Sequence, residues 1–202
     1  MLKEEFIAAA VRYASAERGT ELWEEIEAAG HEAGRHYHTL EHFEHVLQKL
    51  VPHKNVFIDW DIVVFAVAYH DAVYNTLSKN NEEKSALLAE KRLTSIGFPA
   101  DKVKRCKAFI LATKHHESVD DEINLFTDAD LSILGADPDT YTDYTLRVRR
   151  EYWMYPEFLY NPGRKKVLHH FLKMSGIYKT PNFKTRYEAQ ARVNLNTELQ
   201  TL

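Results

Sequence analysis

The chain has 202 residues, of which 45% are hydrophobic, so it is long and apolar enough to bury one sizeable core. This composition excludes intrinsic disorder as the ground state. The formal net charge of −4 excludes the strongly basic field of a nucleic-acid scaffold, so we expect no stable complex with nucleic acid. The single cysteine, Cys106, excludes an internal disulfide framework and fits a reducing compartment.

The apolar segments are too short to cross a membrane. The longest is 62–69, against the roughly 20 residues that a spanning helix needs, and the first residues lack the apolar core of a signal peptide. We therefore expect a cytoplasmic protein with no membrane partner. Its many charged residues suit a monomer, whereas the aromatic segment 152–160 would also suit a homodimer interface.

Helical periodicity dominates the first half of the chain, with predicted helices at 2–16, 20–29, 39–50, 60–69 and 80–95. Asp59 has the position of an N-cap for the run that starts at Trp60. This run is apolar on nearly all sides and predicts a central buried helix. A buried parallel strand over 62–67 is the alternative, but no alternating βαβ pattern surrounds it.

The second half continues the helical pattern, with predicted helices at about 99–113, 126–134, 138–153, 160–175 and 183–199. Asp137 as N-cap and Pro138 at the first helical position begin the third of these, and Pro156 breaks it. The sequence thus predicts an all-α, single-domain helical bundle over residues 1–202. Its motif-bearing core covers about 31–155, and the helices of 156–202 pack on that core.

The main chemical signal is the pair His70-Asp71, which ends the buried apolar run. A carboxylate there is costly unless it is compensated, and a metal ion compensates most strongly. The dipeptide alone is weak evidence, because a helix-terminal His beside a paired Asp would look the same. Two other groups add to it. His38, His42 and His45 have i, i+4, i+7 spacing and are expected to share a helix face, and an acidic pair occurs at 128 and 130.

The segments RHYHTLEH, AVAYHDAVYN, NEEKSA, ATKHH and DADLSILG, in this order, resemble predicted metal-dependent phosphohydrolases of the HD superfamily over roughly 35–152. The resemblance implies an all-α fold of the HD-domain type and hydrolysis of phosphate esters, often nucleotides. It also implies a divalent metal ion held by His38, His70, Asp71 and Asp130, with Asp128 as the alternative last ligand. Mixed nitrogen and oxygen ligands suit Mn, Fe, Co, Ni or Zn, and Mg less well.

The remaining site residues are less specific. Many HD phosphohydrolases carry an acid or a lysine just beyond the doublet, but here Ala72 and Val73 follow it. Glu82 in NEEKSA is the candidate for proton transfer, although a first-turn Glu also suits the helix dipole. The candidates for binding the substrate phosphate are Arg35, His42, Lys114, His115 and His116. Surface ion pairing, core packing and helix capping are their ordinary alternatives.

Three functions fit these residues. The first is a metal-dependent hydrolase of a small phosphorylated molecule, in which metal-bound water attacks phosphorus while Asp71 acts at the metal. The second is a non-catalytic module that binds a metal ion or a nucleotide, since no acid or base stands beside the doublet. The third is a di-iron oxygenase on the same scaffold, although only His115 and His116 lie between the doublet and the last Asp.

Overall fold

The computed structural model describes all 202 residues, and its regular structure is entirely helical, which confirms the predicted all-α class. Short 3-10 segments cover Val51–Val56 and Leu131–Gly135. None of the helices is long and apolar enough to span a membrane. The α-helices are α1 (Leu2–Ala10), α2 (Ala16–Gly30), α3 (Leu40–Leu50), α4 (Trp60–Tyr69), α5 (Asn81–Ser95), α6 (Ala100–Ala112), α7 (Asp121–Asp130), α8 (Pro138–Glu151), α9 (Glu157–Lys173) and α10 (Pro181–Thr201).

The chain divides into two compact units, Met1–Thr127 and Asp128–Leu202. The boundary falls near the end of α7, so this helix contributes to both units. The prediction of one domain that includes the C-terminal helices stays a prediction.

Helix α4 is the centre of the first unit. The side chain of Asp59 accepts a hydrogen bond from the backbone N–H of Asp61 and caps the helix, as predicted. Every residue from Asp61 to Tyr69 is buried, and α1, α3, α5 and α6 pack around it. Each fully buried Val or Phe side chain in such a helix contributes roughly 1.5–3 kcal/mol of apolar burial. The central-helix interpretation is therefore confirmed over the buried-strand alternative.

The end of α2 comes close to the start of α3 at a glycine. A Cβ atom on Gly30 would lie 2.6 Å from Cγ of Leu40, so only glycine allows the end of α2 to come this close to the start of α3. The apolar face of α3 is fully buried through Phe43 and Leu47. Its first turn is thereby fixed against the region where α4 ends.

In the second unit, α9 and the 3-10 segment Leu131–Gly135 pack against α10, and α8 packs against the 3-10 segment. A Cβ atom on Gly135 would lie 2.6 Å from the backbone oxygen of Tyr187, so glycine is required for this close approach. The side-chain amide of Asn194 donates to the carbonyl oxygens of Leu134 and Ala136, both at 2.9 Å. These bonds satisfy the carbonyl groups that the 3-10 segment leaves open.

Several predicted boundaries are wrong, mainly where a polar cap decides the start of a helix. The first predicted helix stops at Ala10, and a new one starts at Ala16 because the side chain of Ser15 accepts from the N–H of Arg18. Helix α7 begins five residues before the predicted start, since the carboxylate of Asp120 accepts from the N–H of Ile123. The helix predicted from residue 80 begins at Asn81, and the side chain of Asn80 before it forms no capping hydrogen bond.

Candidate metal centre

The His70-Asp71 pair lies where α4 ends, with His70 at the C-cap position. His70 is buried, and its Nδ1 lies 2.8 Å from the carbonyl oxygen of Val67. A carbonyl oxygen can only accept, so Nδ1 carries the proton and the lone pair of the neutral ring is on Nε2. A hydrogen bond from the other ring nitrogen, which fixes the tautomer and the orientation of the ring, is the usual arrangement of a metal-binding histidine.

Three ligand atoms converge beside this ring: Nε2 of His70, Nε2 of His42 and Oδ2 of Asp71. The two nitrogens are 3.0 Å apart, and Oδ2 lies 3.2 Å from His70 and 3.6 Å from His42. Around a metal ion with bonds of about 2.1 Å, neighbouring ligand atoms are about 3.0–3.4 Å apart in octahedral or tetrahedral geometry. Two of the three separations fall in this range and the third, at 3.6 Å, is slightly longer, so these residues could hold a metal ion.

The charge of Asp71 is stabilised by the surrounding rings. Burial opposes its ionisation, but the positive charge that His70, His38 and His42 carry when protonated outweighs burial and holds the pKa of the Asp71 carboxyl well below its usual range. Its side chain is 17% exposed, whereas those of His42 and His70 are nearly inaccessible. The cluster therefore presents one anionic oxygen toward solvent and two nitrogens from the interior.

His38 lies beside this triangle, outside α3. The helix begins at Leu40, so His38 does not share a helical face with His42 as the spacing had predicted. Its ring stacks on Tyr74 with centroids 4.2 Å apart, and it lies 5.7 Å from the ring of His42. Its role as a ligand stays a prediction.

Arg35 holds the backbone next to the His70-Asp71 pair in place. Its buried guanidinium donates to the carbonyl oxygens of Asp71 (2.6 Å), Ala72 (2.9 Å) and His38 (3.3 Å), and twice to the carboxylate of Glu32. All five N–H groups of an arginine are thereby used. A phosphate could bind Arg35 only if some of these bonds broke. The geometry thus gives Arg35 a positioning role, and the predicted phosphate contact gains no support from it.

Glu82 lies in the first turn of α5, which packs on the loop after the doublet. The buried hydroxyl of Ser85 accepts from the N–H of Val73 at 3.0 Å, and the side-chain amide of Asn81 donates to the carbonyl oxygen of Asn75 at 3.0 Å. These bonds hold the start of α5 to the segment that leaves Asp71. They place Glu82 in the same neighbourhood, and its role in proton transfer stays a prediction.

The segment after α6 faces the same turn of α5. The Lys114 ammonium donates to the Glu83 carboxylate and to the carbonyl oxygen of Lys79 (3.0 Å). Its hydrogen bond, followed by weaker contributions that include His115, lowers the pKa of Glu83. His115 is exposed, and His116 is half-buried with a left-handed φ of 53°. Lys114 is therefore committed to an ion pair, while His115 stands at the surface beside α5.

The two acidic candidates of α7 differ in environment. The buried carboxylate of Asp128 accepts from the backbone N–H groups of Lys179 and Thr180 and from the Thr180 hydroxyl, at 2.7–3.1 Å. Burial still raises its pKa above the usual value. Asp128 thus anchors the start of α10, which favours Asp130, half-buried at the end of α7, as the predicted last ligand. That assignment stays a prediction from the resemblance.

The sequence did not predict His42 as a member of this cluster. It predicted that His42 binds the substrate phosphate. Its burial and the direction of its ring depend on the packing of α3 against α4, which sequence spacing does not report. Comparison with protein-family models, with curated proteins and with solved structures finds no match to this chain in any of the three. The HD assignment therefore rests on the sequence segments and stays a prediction.

Proposed function

We propose that this protein is a metal-dependent hydrolase of a small phosphate ester, with nucleotides as the first class of substrate to test. The observation that carries the proposal is the triangle of His42, His70 and Asp71, whose ligand atoms are 3.0–3.6 Å apart at the end of a buried helix. Two imidazoles and one carboxylate suit a divalent transition metal. The resemblance adds His38 and Asp130 as further ligands.

These residues would hold a divalent ion, which would supply Lewis acidity toward a phosphoryl oxygen and would lower the pKa of a bound water. The protein's part is to keep the ligand atoms in position. Val67 fixes the tautomer of His70, and Arg35 ties the backbone of Asp71 to that of His38. The partly exposed edge of Asp71 leaves the cluster accessible from solvent.

Proton transfer and phosphate binding are assigned to the rim of this cluster. Glu82, on the helix that packs against the loop after the doublet, is the proposed general acid or base. His115 and His116 are the proposed contacts for the substrate phosphate, because Lys114 is held by Glu83 and Arg35 by the protein backbone. Imidazoles suit this task, since they donate hydrogen bonds to phosphate and can carry a positive charge.

The first experiment is elemental analysis of the purified protein beside a phosphatase screen with Mn, Co, Ni, Zn and Mg. Wild type should hold at least one divalent metal ion per chain, and Asp71→Ala should lose it. Asp61→Ala is the matched control, because Asp61 is a buried aspartate at the opposite end of the same helix. Its variant should keep the metal ion.

The outcomes separate the competing functions. Hydrolysis of a nucleotide or a sugar phosphate that disappears in Asp71→Ala supports the proposal. Two irons per chain with oxygen-dependent chemistry would replace it by the oxygenase hypothesis. Tight nucleotide binding without turnover in any metal would replace it by a binding module. Wild-type protein without metal under every condition would refute the metal site itself.

A further inference from the structure

The turn between α8 and α9 displays large apolar side chains to solvent. Trp153 is 70% exposed, Met154 60%, Phe158 75% and Leu159 55%, all within seven consecutive residues. Scattered single apolar residues are ordinary at a protein surface, but a group of this size generally marks a binding surface. We refer to these four side chains as the apolar corner.

The backbone beneath the apolar corner is held in place. The Arg149 guanidinium donates to the carbonyl oxygens of Tyr152 (2.8 Å) and Tyr155 (3.0 Å), and it lies over the ring of Tyr160 at 4.6 Å. The ring of Tyr152 also contacts those of Tyr155 and Tyr160, with centroids 5.7 Å apart in both pairs. One set of aromatic rings thus turns inward and fixes the turn, while the apolar corner points outward.

Positive charge outweighs negative charge in the part of the sequence that contains the apolar corner. Residues 147–173 contain seven Lys or Arg and two Glu, although the whole chain has a net charge of −4. One of the two, Glu151, is buried, and three of the arginines are engaged by the protein itself. The bases that form no ion pair are Arg150, Lys165, Lys166 and Lys173. Against these four bases stands one exposed carboxylate, Glu157, so this part of the chain presents apolar groups together with an excess of positive charge.

We propose that the apolar corner and its four bases bind the surface of a membrane that contains anionic lipids. Trp and Phe settle at the boundary between headgroups and acyl chains, and Lys and Arg are attracted to the headgroup phosphates. A second copy of this chain fits less well, because a twofold interface would bring the same positive charges face to face. The apolar corner consists of exposed side chains at a turn between two helices, and apolar groups displayed in this way are suited to insertion among lipid headgroups.

Such binding is peripheral and needs no spanning helix. The sequence predicted no membrane partner because its longest apolar run is short, but that criterion addresses only spanning segments. Here the apolar residues form two adjacent pairs, at 153–154 and 158–159, and neither pair is long enough to count as an apolar run. Each basic residue near an anionic surface adds attraction that salt screens, so binding should weaken as ionic strength rises.

The test is sedimentation of the full chain with vesicles of phosphatidylcholine alone or mixed equally with phosphatidylglycerol. Wild type should bind the anionic vesicles at least tenfold more strongly than the neutral ones, and 0.5 M NaCl should remove most of this binding. The double variants Trp153→Ser/Phe158→Ser and Lys165→Glu/Lys166→Glu should each weaken it at least tenfold. Ile58→Ser, which removes a 95% exposed apolar side chain from the first unit, should leave it unchanged.

Fluorescence gives a readout that does not depend on sedimentation. Trp23 is buried and Trp60 is half-buried, so a blue shift of emission on adding anionic vesicles should come from Trp153. Trp153→Phe should abolish the shift and keep most of the binding. Urea unfolding and circular dichroism verify that each variant is folded.

Three results would overturn the proposal. The first is absence of vesicle binding at low salt by folded wild type. The second is equal binding to neutral and anionic vesicles. The third is a dimer in solution that Trp153→Ser dissociates, which would assign the apolar corner to a second copy. None of these results bears on the metal content, so the proposed hydrolase function stands or fails independently.

Discussion

Each of the two units buries a polar cluster, and the two clusters are built from different chemistry. In the second unit, the Arg164 guanidinium donates to Glu198 at 2.7 and 3.0 Å, and the Tyr141 hydroxyl donates to the same carboxylate. In the first unit, the facing atoms are two imidazole nitrogens and one carboxylate oxygen, from His42, His70 and Asp71. The cluster in the second unit is complete as a set of hydrogen-bond donors and acceptors. The cluster in the first unit is a set of atoms of the kind that bind a metal ion.

The difference separates a structural cluster from a candidate functional one. Burial opposes the charge of Arg164, but Tyr144 and Glu198 outweigh burial and hold its pKa well above the ordinary value. Both members of that pair are more than nine-tenths buried and neutralise each other. The carboxylate of Asp71 has no Arg or Lys of this kind beside it and depends on the neighbouring rings. Ligand-type atoms placed together in this way are expected where a cation binds.

The largest expected effect comes from breaking the complete cluster. Glu198→Gln should lower the free energy of unfolding by about 3–5 kcal/mol, because it leaves the charge of Arg164 buried and uncompensated. Urea unfolding measures this loss. Glu157→Gln, an exposed carboxylate at the start of α9, is the control and should change stability by less than about 0.5 kcal/mol.

A double variant sharpens the same point. Arg164→Met/Glu198→Leu removes both charges together, so it should lose much less stability than Glu198→Gln alone. If the double variant is as unstable as the single one, then packing rather than charge compensation accounts for the effect, and the contrast with the first unit loses its basis.

The next effect tests the cluster of ligand atoms. Mn or Zn at about 100 times its Kd should stabilise wild type by about 2.7 kcal/mol, because the ion binds the folded state. His42→Ala should reduce this gain to near zero, and so should Asp71→Asn. His31→Ala, which removes an exposed histidine, should keep the full gain. Thermal unfolding with and without EDTA measures it, and equal stabilisation of all four proteins would mean that the ion binds elsewhere.

Local signals in the sequence were sufficient for the all-α fold class and for part of this cluster. The Asp59 cap and the all-round apolar run predicted α4, and the polar pair at its end predicted two of the three converging residues. The position of His42 required the close packing of α3, which depends on Gly30 contacting Leu40. Tertiary contacts of this kind leave no periodic pattern in the sequence.

The contacts of Arg35 also could not be predicted from the local sequence. Two of its acceptors, the carbonyl oxygens of Asp71 and Ala72, are 36 and 37 residues away along the chain. A basic residue beside a predicted metal ligand suggests a phosphate contact. Nothing local in the sequence reveals that backbone carbonyl groups already accept its hydrogen bonds. Functional interpretation of single charged residues therefore depends on knowing their partners.

Replacing Arg35 should affect both stability and metal binding. Arg35→Lys retains the charge but offers three donors for five bonds, so we expect a loss of about 2 kcal/mol in unfolding free energy. Because Arg35 ties His38 to Asp71, metal affinity should fall at least tenfold. Arg18→Lys, at a more exposed arginine paired with Glu21, is the control and should change neither quantity appreciably. Isothermal titration in the folded range measures the affinity, and unchanged affinity would remove Arg35 from the support of the site.

The smallest effect concerns His45, one turn beyond His42 on α3. Burial, with smaller contributions from Lys49 and His42, lowers the pKa of His45 from 6.5 to about 4. The unfolded chain therefore binds a proton more readily than the folded one between these values, and stability must fall as pH drops below 6.5. A histidine in a stabilising ion pair would make the protein more stable as the pH falls. His45 has the opposite effect, because the folded protein favours its neutral imidazole.

In EDTA, this imidazole should account for about 1 kcal/mol of the stability that wild type loses between pH 7.5 and pH 5.5. His45→Gln should therefore lose less stability over that interval, whatever its absolute stability at neutral pH. His169→Gln, an exposed histidine on α9, controls for the loss of any imidazole. Urea unfolding at four pH values measures the slope. If stability depends on pH equally in wild type and His45→Gln, then α3 accommodates the charged ring of His45. Burial on this helix would then not lower the pKa of a histidine.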